Sequence, residues 1–426
     1  MTNQLTLGVE EERPVMGLDI GSASIKCGVG VQGAGYYDII AAKSVPSVGI
    51  RDGEIEDQEE LRESLREVIR RTLDAAACDQ PPPLSLCLSS QHYYTVDTEA
   101  ELRLNHGRVT HEDVLALVER AHRPARVSGY TLTHLVPQSF WIDGEKGSLS
   151  PWGQPATRLH LKGRLFYAHA QQLEQLRELA ASLNLEVQDI FCDLLVQSEG
   201  CLSREELGRS VVILDIGSSS SKLMFFQEGR PGHFLVHPEG SSRITQELQR
   251  KLSLEGLEAE RLKRAYGQIQ EVSDEQERIP IQGMGPSRSV RSEHLNRVIS
   301  RVVTEMLSAI RVRLDEEGMS QALSGGVILT GGGAQLPGVV PLAENILRAP
   351  VRLGLPVNSG TCSLVDKPPY AALNGLLLTA LHQRSYDWFS SWKSPLSEIP
   401  SPLLRATQKR QQKPWWRRLF SEGELL

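Results

Sequence analysis

No Cys-x-x-Cys pair occurs in this chain, and none of its six cysteines (Cys27, Cys78, Cys87, Cys192, Cys201 and Cys362) stands at metal-ligand spacing from another. That argues against the common zinc frameworks and, with no disulfide pattern, suits a reducing compartment. Long apolar runs are lacking too, since none reaches the ~20 residues of a membrane span. The first 14 residues are polar and acidic, unlike a secretory signal. The expectation is a cytoplasmic protein with neither disulfides nor zinc. An excess of positive charge is also missing: the formal net charge is −7 over 426 residues, which argues against general nucleic-acid binding. What the chain does have is 40% hydrophobic residues and a length beyond what one core usually supports. At least two domains are expected.

One phrase is written twice. Leu18-Asp19-Ile20-Gly21-Ser22-Ala23-Ser24-Ile25-Lys26 returns as Leu214-Asp215-Ile216-Gly217-Ser218-Ser219-Ser220-Ser221-Lys222, each time ending an apolar run. In each copy a short strand, Val15 to Leu18 or Val211 to Leu214, delivers an acid and then a small-residue turn. There glycine allows close backbone approach, and N–H and hydroxyl groups can face an anion. An isolated Asp-Gly turn is ordinary hairpin chemistry; two copies imply two similar domains. A third phrase, Val327-Ile328-Leu329-Thr330-Gly331-Gly332-Gly333-Ala334, is again a buried strand running into glycines, where missing side chains would let a flat ring lie against backbone. The order of the three phrases resembles the actin, Hsp70 and sugar-kinase superfamily, with its two phosphate loops and adenosine loop.

Between the phrases the pattern alternates strands and helices. Gln58 to Ala77 has a helical period and ends before Pro81-Pro82-Pro83, and Leu84 to Leu88 reads as a strand. From about Gln91 to Leu165 alternating residues with one helix, His111 to Arg123, read as an inserted small domain, and Arg164 to Ala168 as a further strand. Helices are expected at Gln171 to Leu183, Arg243 to Leu252, Leu257 to Tyr266, His294 to Glu317, Pro341 to Leu347 and Tyr370 to Leu381, with a loop from Gln268 to Ser289. Beyond Gln383 the composition shifts to Ser, Pro and basic residues, which reads as a linker.

The linker carries something at its end. Four of six tryptophans (Trp388, Trp392, Trp415, Trp416) fall in the last 39 residues. From Arg405 onward six basic residues face two acids, leaving −11 on the rest of the chain. With Pro414 as a first helical residue, a wheel at roughly 100° per residue gathers Trp415, Trp416, Leu419 and Phe420 within an arc of about 140°, with Arg417 and Arg418 outside it. Such a helix suits an anionic bilayer interface, at about 1 kcal/mol per basic residue plus apolar burial, so that multimerisation would add avidity. The plainer alternative is a helix that docks on its own body or on a protein groove.

An actin-like core, an insertion after the first phosphate region and a Trp/Arg terminal helix together resemble the bacterial cell-division FtsA family. His134-Leu135-Val136-Pro137-Gln138 followed by Ile142-Asp143-Gly144, Pro151-Trp152-Gly153, and Pro286-Ser287-Arg288-Ser289 resemble family segments. The resemblance implies an actin/Hsp70-like α/β fold with two duplicated RNase H-like domains, a small inserted domain and a C-terminal amphipathic helix. It divides the chain into a disordered N-terminus 1–14, a first subdomain 15–90 continued at 169–210 and 359–384, and an insertion 91–168. A second-half subdomain, 211–242 and 324–358, encloses another at 243–323; a linker 385–413 and a membrane-targeting helix 414–424 follow. The implied ligands are ATP and Mg2+: Gly21, Ser22 and Ser24 in the first phosphate loop, Gly217, Ser218, Ser219 and Ser220 in the second, Glu260 and Lys263 at ribose and base, and Gly331, Gly332 and Gly333 behind adenosine. Asp19 and Asp215 would hold magnesium through water. The implied partners are the tubulin-like FtsZ, around Arg288 to Arg301, further copies of the chain, later division proteins through the insertion, and the anionic inner face of the cell membrane at the division site, with no nucleic acid. Glu260 and Lys263 are equally readable as an ordinary i, i+3 helix pair worth roughly a few tenths of a kcal/mol.

The departures from the family pattern bear on chemistry. Ser218 to Ser221 replace the usual Gly and Thr positions, and Lys222 stands near an expected acid, where it suits phosphate binding better than water activation. Hydrolysing relatives place Gln or Glu near the strand end before the second loop. In Phe191-Cys192-Asp193-Leu194 only Asp193 is a candidate catalytic residue, and a missing base would cost roughly 10²- to 10⁴-fold in rate. The expectation is ATP binding with slow turnover at most, the nucleotide fixing domain closure. Two other readings stand beside this: a PilM-like adaptor of pilus assembly, sharing a phrase like Asp52-Gly53-Glu54-Ile55, and a small-molecule kinase of the same superfamily.

Overall fold

The computed structural model describes residues 14–33, 36–89, 91, 93–125, 127–146, 151–227, 230–269, 277–282, 288–357 and 362–381. Each copy of the repeated phrase ends the central strand of a five-stranded sheet. The first sheet runs Val187–Cys192, Leu84–Leu88, Val15–Ile20, Ser24–Gly33, Tyr36–Pro46. Its first three strands are parallel and its last three antiparallel. The second sheet repeats that order and polarity with Val351–Leu353, Val327–Thr330, Val211–Ile216, Ser221–Gln227 and Arg230–His237. Parallel neighbours need crossovers rather than tight turns, and helices supply them. Gln58–Ala75 precedes Leu84–Leu88, and Ala170–Ser182 precedes Val187–Cys192. Ser292–Glu316 and Val339–Leu347 do the same in the second half.

The residue pattern accounts for these elements. Helix Gln58–Ala75 is capped by Asp57, whose carboxylate accepts from the N–H groups of Glu59 and Glu60. It buries Leu61, Leu65, Val68, Ile69 and Leu73, a stripe at helical spacing. Strand Val211–Ile216 is buried on both faces. Val211 and Ile213 join the core of the first sheet, while Val212, Leu214 and Ile216 join a second core under the helices of the other half, as a period of two requires. Double burial makes its first four residues, Val211 to Leu214, an unbroken apolar run.

Between Leu84–Leu88 and Ala170–Ser182 stands an antiparallel sheet in the order Tyr94–Arg103, Arg158–His169, Tyr130–Ile142, Glu145–Lys146. It packs with helix His111–His122 around a core of its own that includes Leu117, Phe140 and Leu161. The segment Arg164 to Ala168, read above as a separate strand, is the end of Arg158–His169, which pairs on both sides within this sheet. Asp143 and Gly144 form a two-residue hairpin turn at φ 52° and 95°. The Asp143 carboxylate fastens it by accepting from Thr157 N–H, Thr157 Oγ1 and Arg158 N–H.

Two expectations are corrected. The stretch Gln268 to Ser289, expected as a loop, contributes Arg278–Ile281 and part of Arg288–Arg291, which pair antiparallel. Each of the two strands buries one residue, Ile279 and Val290, too short an alternation to stand out. The region after Phe191 holds an unanticipated helix, Asp193–Cys201, buried almost all round and therefore without an amphipathic signature. It crosses the closing helix Ala371–Leu381 at two glycines. A Cβ on Gly200 would lie 2.1 Å from the Ala371 carbonyl oxygen, and one on Gly375 would lie 1.7 Å from that of Val196. Asn374 fastens the crossing by donating to the carbonyls of Gly200 at 3.1 Å and Val357 at 2.8 Å.

Candidate functional site: a cleft between two serine turns

The two halves meet where the repeated phrases turn. In the first hairpin Gly21 N–H donates to the Ser24 carbonyl at 3.2 Å, and in the second Gly217 N–H donates to that of Ser220 at 3.0 Å. The turns stand tip to tip, with Ser22 Oγ and Ser219 Oγ 2.9 Å apart. The second turn also rests on the start of helix Ser242–Leu252. The carbonyls of Gly217 and Ser218 accept from the N–H groups of Ser241 and Ser242 at 2.8 and 2.9 Å.

Behind the turns the acids and lysines of the phrases occupy matching positions, Asp19 opposite Lys26 and Asp215 opposite Lys222. In the first half the pair closes, with Lys26 Nζ donating to Asp19 at 2.7 Å. In the second it does not. Lys222 reaches into the first half and pairs with Asp193, donating also to Ser89 Oγ at 2.5 Å. Asp215 accepts instead from Gln197 Nε2 at 2.8 Å, and the Gln197 carbonyl oxygen accepts from Thr330 Oγ1 at 2.7 Å. Asp215 Oδ1 is buried without a hydrogen-bond partner. Burial pushes the Asp215 carboxyl above its ordinary range, and Lys222 pulls only partly against it. Burial works to deprotonate both lysines, but Asp19 beside Lys26 and Asp193 beside Lys222 hold their pKa above the usual value. Both ammoniums are charged at neutral pH.

Gln197 is a site residue that the strand-end pattern does not reveal. That pattern points to Asp193, and Gln197 lies four residues on, on the same face of the helix that begins there. Its i, i+4 relation to Asp193 was the available signal.

The glycines after Val327–Thr330 divide. A Cβ on Gly331 would lie 2.1 Å from Asp215 Oδ1 and one on Gly333 2.3 Å from Ile216 Cγ2, so these two let the turn press on the second central strand. Gly332 meets nothing within 4 Å, which leaves it as the open face. Glu260 and Lys263 are brought together at 2.6 Å on helix Gly256–Tyr266. Thr245 joins them, donating to Glu260 at 2.6 Å and accepting from Lys263 at 2.9 Å. Lys263 also donates to the Ser241 carbonyl at 3.2 Å, which ties the pair to the start of the helix under the second turn.

Other expected residues lie apart from the cleft. Arg288 and Arg301 are on the outer surface of the second half, bracing helix Ser242–Leu252 through the carbonyls of Leu252 and Ser253 and through Glu247. His134 is half-buried in the small sheet with its ring stacked on Phe191 at 5.6 Å, while Gln138 donates to the Pro231 carbonyl at 2.7 Å and so touches the second half. The segment 1–13, the linker and the tail, with Trp415, Trp416, Arg417, Arg418, Leu419 and Phe420, lie outside the described residues.

The residues at the turns fit a polyphosphate: hydroxyls, turn N–H groups and two buried ammoniums converge there. They fit magnesium less well: Asp19 is already paired with Lys26, and Asp215, though its Oδ1 has no hydrogen-bond partner, is held through its other oxygen by Gln197.

Comparison with known proteins agrees with this layout. A chain of the PilM-PilN type IV pilus biogenesis complex superposes with a TM-score of 0.62 at 17% identity, over 86% of this chain and 98% of its own. MreB 5 of Spiroplasma citri, bound to AMPPNP, does so with 0.53 at 13% identity, over 86% and 96%. The duplicated sheets and facing turns, with these likenesses, define an actin-like ATPase fold. Two family models then narrow it: "Cell division protein FtsA" matches residues 212–375 and "SHS2 domain inserted in FTSA" matches residues 90–166, together more than half of the chain. The cell division protein FtsA of Pseudomonas aeruginosa is 25% identical over 382 residues, 88% of this chain and 91% of that one. The chain belongs to the FtsA family of bacterial cell-division proteins.

Proposed function

We propose that this chain is an ATP-binding scaffold that self-assembles on the inner face of the cell membrane and tethers FtsZ filaments to it. The observation that carries the membrane role is the terminal helix pattern, in which Trp415, Trp416, Leu419 and Phe420 share one face beside Arg417 and Arg418. Membership of a cell-division family supplies the context. ATP would lie with its phosphates at Gly21, Ser22, Ser24 and Gly217 to Ser220, its adenosine toward Gly332, and Glu260 and Lys263 beside it. The nucleotide acts as a ligand that sets the closure of the two halves. Asp193 is engaged by Lys222 rather than held open toward an attacking water, which favours slow turnover. The small sheet offers the surface for copies of the chain and later division proteins, and the surface bearing Arg288 and Arg301 the one for FtsZ.

Co-sedimentation with anionic liposomes, with and without ATP and FtsZ, tests this on the full chain and on one ending at Leu404. The full chain is expected to pellet and bring FtsZ down, and the shortened one to do neither. Pelleting without FtsZ would favour an adaptor of another membrane machine, the reading to which the PilM-PilN likeness points. No pelleting would remove the membrane role.

A further inference from the structure

Behind the serine turns a buried cluster holds three carboxylates, Asp19, Asp193 and Asp215, at 4%, 1% and 7% exposure, and two ammoniums, Lys26 and Lys222, at 8% and 3%. The cluster is thus nearly balanced by covalently attached cations. Magnesium dehydrates reluctantly and keeps several waters, so it needs both room and unbalanced negative charge. Here Asp19 is spent on Lys26 at 2.7 Å and Asp193 on Lys222. Asp215 is engaged by Gln197 through one oxygen at 2.8 Å; its other oxygen has no hydrogen-bond partner but is crowded by the Gly331 backbone, where a Cβ would come within 2.1 Å, which leaves little room for a hydrated ion. A hydrated dication has little to bind.

A polyphosphate does. An ammonium has three donors. Lys222 uses two of its own on Ser89 and Asp193, and Lys26 uses one on Asp19, so each keeps donors for phosphate oxygens. Lys26 and Lys222 lie on the strands that follow the two turns, Ser24–Gly33 and Ser221–Gln227, and the turn hydroxyls of Ser22 and Ser219 face each other between the halves. Lys222 also joins the two halves, since it stands in the second sheet and Asp193 and Ser89 belong to the first.

We infer that this site takes a nucleotide polyphosphate without a divalent cation, with Lys222 and Lys26 supplying the positive charge that magnesium would otherwise bring. This rests on the nucleotide-binding reading above. Lysine is a sound point-charge partner for phosphate, and a buried one is stronger than the same group in water.

The experiment is calorimetric titration of the full chain with ATP in magnesium and in EDTA. The wild-type dissociation constants in the two buffers are expected to agree within about threefold. A Lys222→Met/Asp193→Asn double variant removes both members of the pair, so that neither is left buried without the other; checked as folded by circular dichroism, it should lose about tenfold or more of its ATP affinity in EDTA. Wild-type binding more than about tenfold tighter with magnesium than with EDTA overturns the inference and leaves ATP binding intact. So does a folded double variant that binds ATP in EDTA as the wild type does. No ATP binding in either buffer overturns the nucleotide reading itself. The wild-type comparison decides the matter even if the double variant does not fold.

Discussion

Ser22 and Ser219, 197 residues apart in the chain, bring their hydroxyl oxygens to 2.9 Å at the tips of the two repeated turns. A phosphate entering between the turns must part them. In a Ser22→Cys/Ser219→Cys variant the two sulfurs start within reach of disulfide geometry, which needs Cβ atoms about 3.5–4.5 Å apart. Mild oxidation without nucleotide is expected to give an internal crosslink, read as a gel shift reversed by reductant and mapped by mass spectrometry. Prior addition of ATP should slow it. Equal crosslinking with and without saturating ATP would place the phosphates elsewhere.

The crossing of helix Asp193–Cys201 with helix Ala371–Leu381 depends on having no side chain at Gly375. A methyl group there would sit 1.7 Å from the Val196 carbonyl oxygen, a backbone atom that cannot turn aside. Gly375→Ala is expected to destabilise by about 2–3 kcal/mol through overpacking. Urea unfolding measures it. A loss under about 0.5 kcal/mol would mean that the helices part freely at this point.

Much of this arrangement was legible in the sequence, and the parts that were not have physical reasons. The central strands stood out because double burial makes Val211 to Leu214 an apolar run, which Asp215 and then Gly217 end. The insertion was visible because one face of its sheet is wet, so its strands alternate. Helix Asp193–Cys201 carried no period because nearly every residue is buried, and with it Gln197 was lost. The Lys222 pairing has no local pattern at all. Its register partner is Asp215, and the choice of Asp193 instead, 29 residues away in the other half, is made only by tertiary packing. The three glycines after Thr330 looked equivalent in sequence, yet two are needed for packing and only Gly332 opens outward.

His134 carries a pH dependence. Burial lowers its pKa from 6.5 to about 4, so the folded ring stays neutral where the unfolded one takes up a proton. Above about pH 6.5 both are neutral and the stability is fully present. As pH falls from 6.5 through 4 the unfolded state gains protons that the folded state refuses, and up to about 3 kcal/mol is lost. His134→Phe keeps a ring to stack on Phe191 and removes the titration. In urea unfolding between pH 7.5 and pH 4.5, the wild type should lose more stability than this variant. Parallel pH curves for the two would show that His134 is protonated in the fold.

The proposed terminal helix would divide its membrane affinity between charge and apolar burial, and the two respond to different lipids. On the helical wheel expected from the sequence, Arg417 and Arg418 fall outside the arc that gathers Trp415, Trp416, Leu419 and Phe420, so in the proposed role they would meet anionic headgroups. At about 1 kcal/mol each, replacing both in an Arg417→Gln/Arg418→Gln variant should weaken partitioning onto anionic vesicles by about 30-fold and leave neutral vesicles almost unchanged. A Trp415→Ala/Trp416→Ala variant should lose binding to both, because the buried aromatic face contributes whatever the headgroup charge. Raising the salt concentration should reproduce the arginine variant in the wild type, since exposed charges are screened within about 8 Å at physiological ionic strength. An arginine variant that binds anionic vesicles as the wild type does would leave the basic flank free for a protein partner, and the tail would then act as a docking helix.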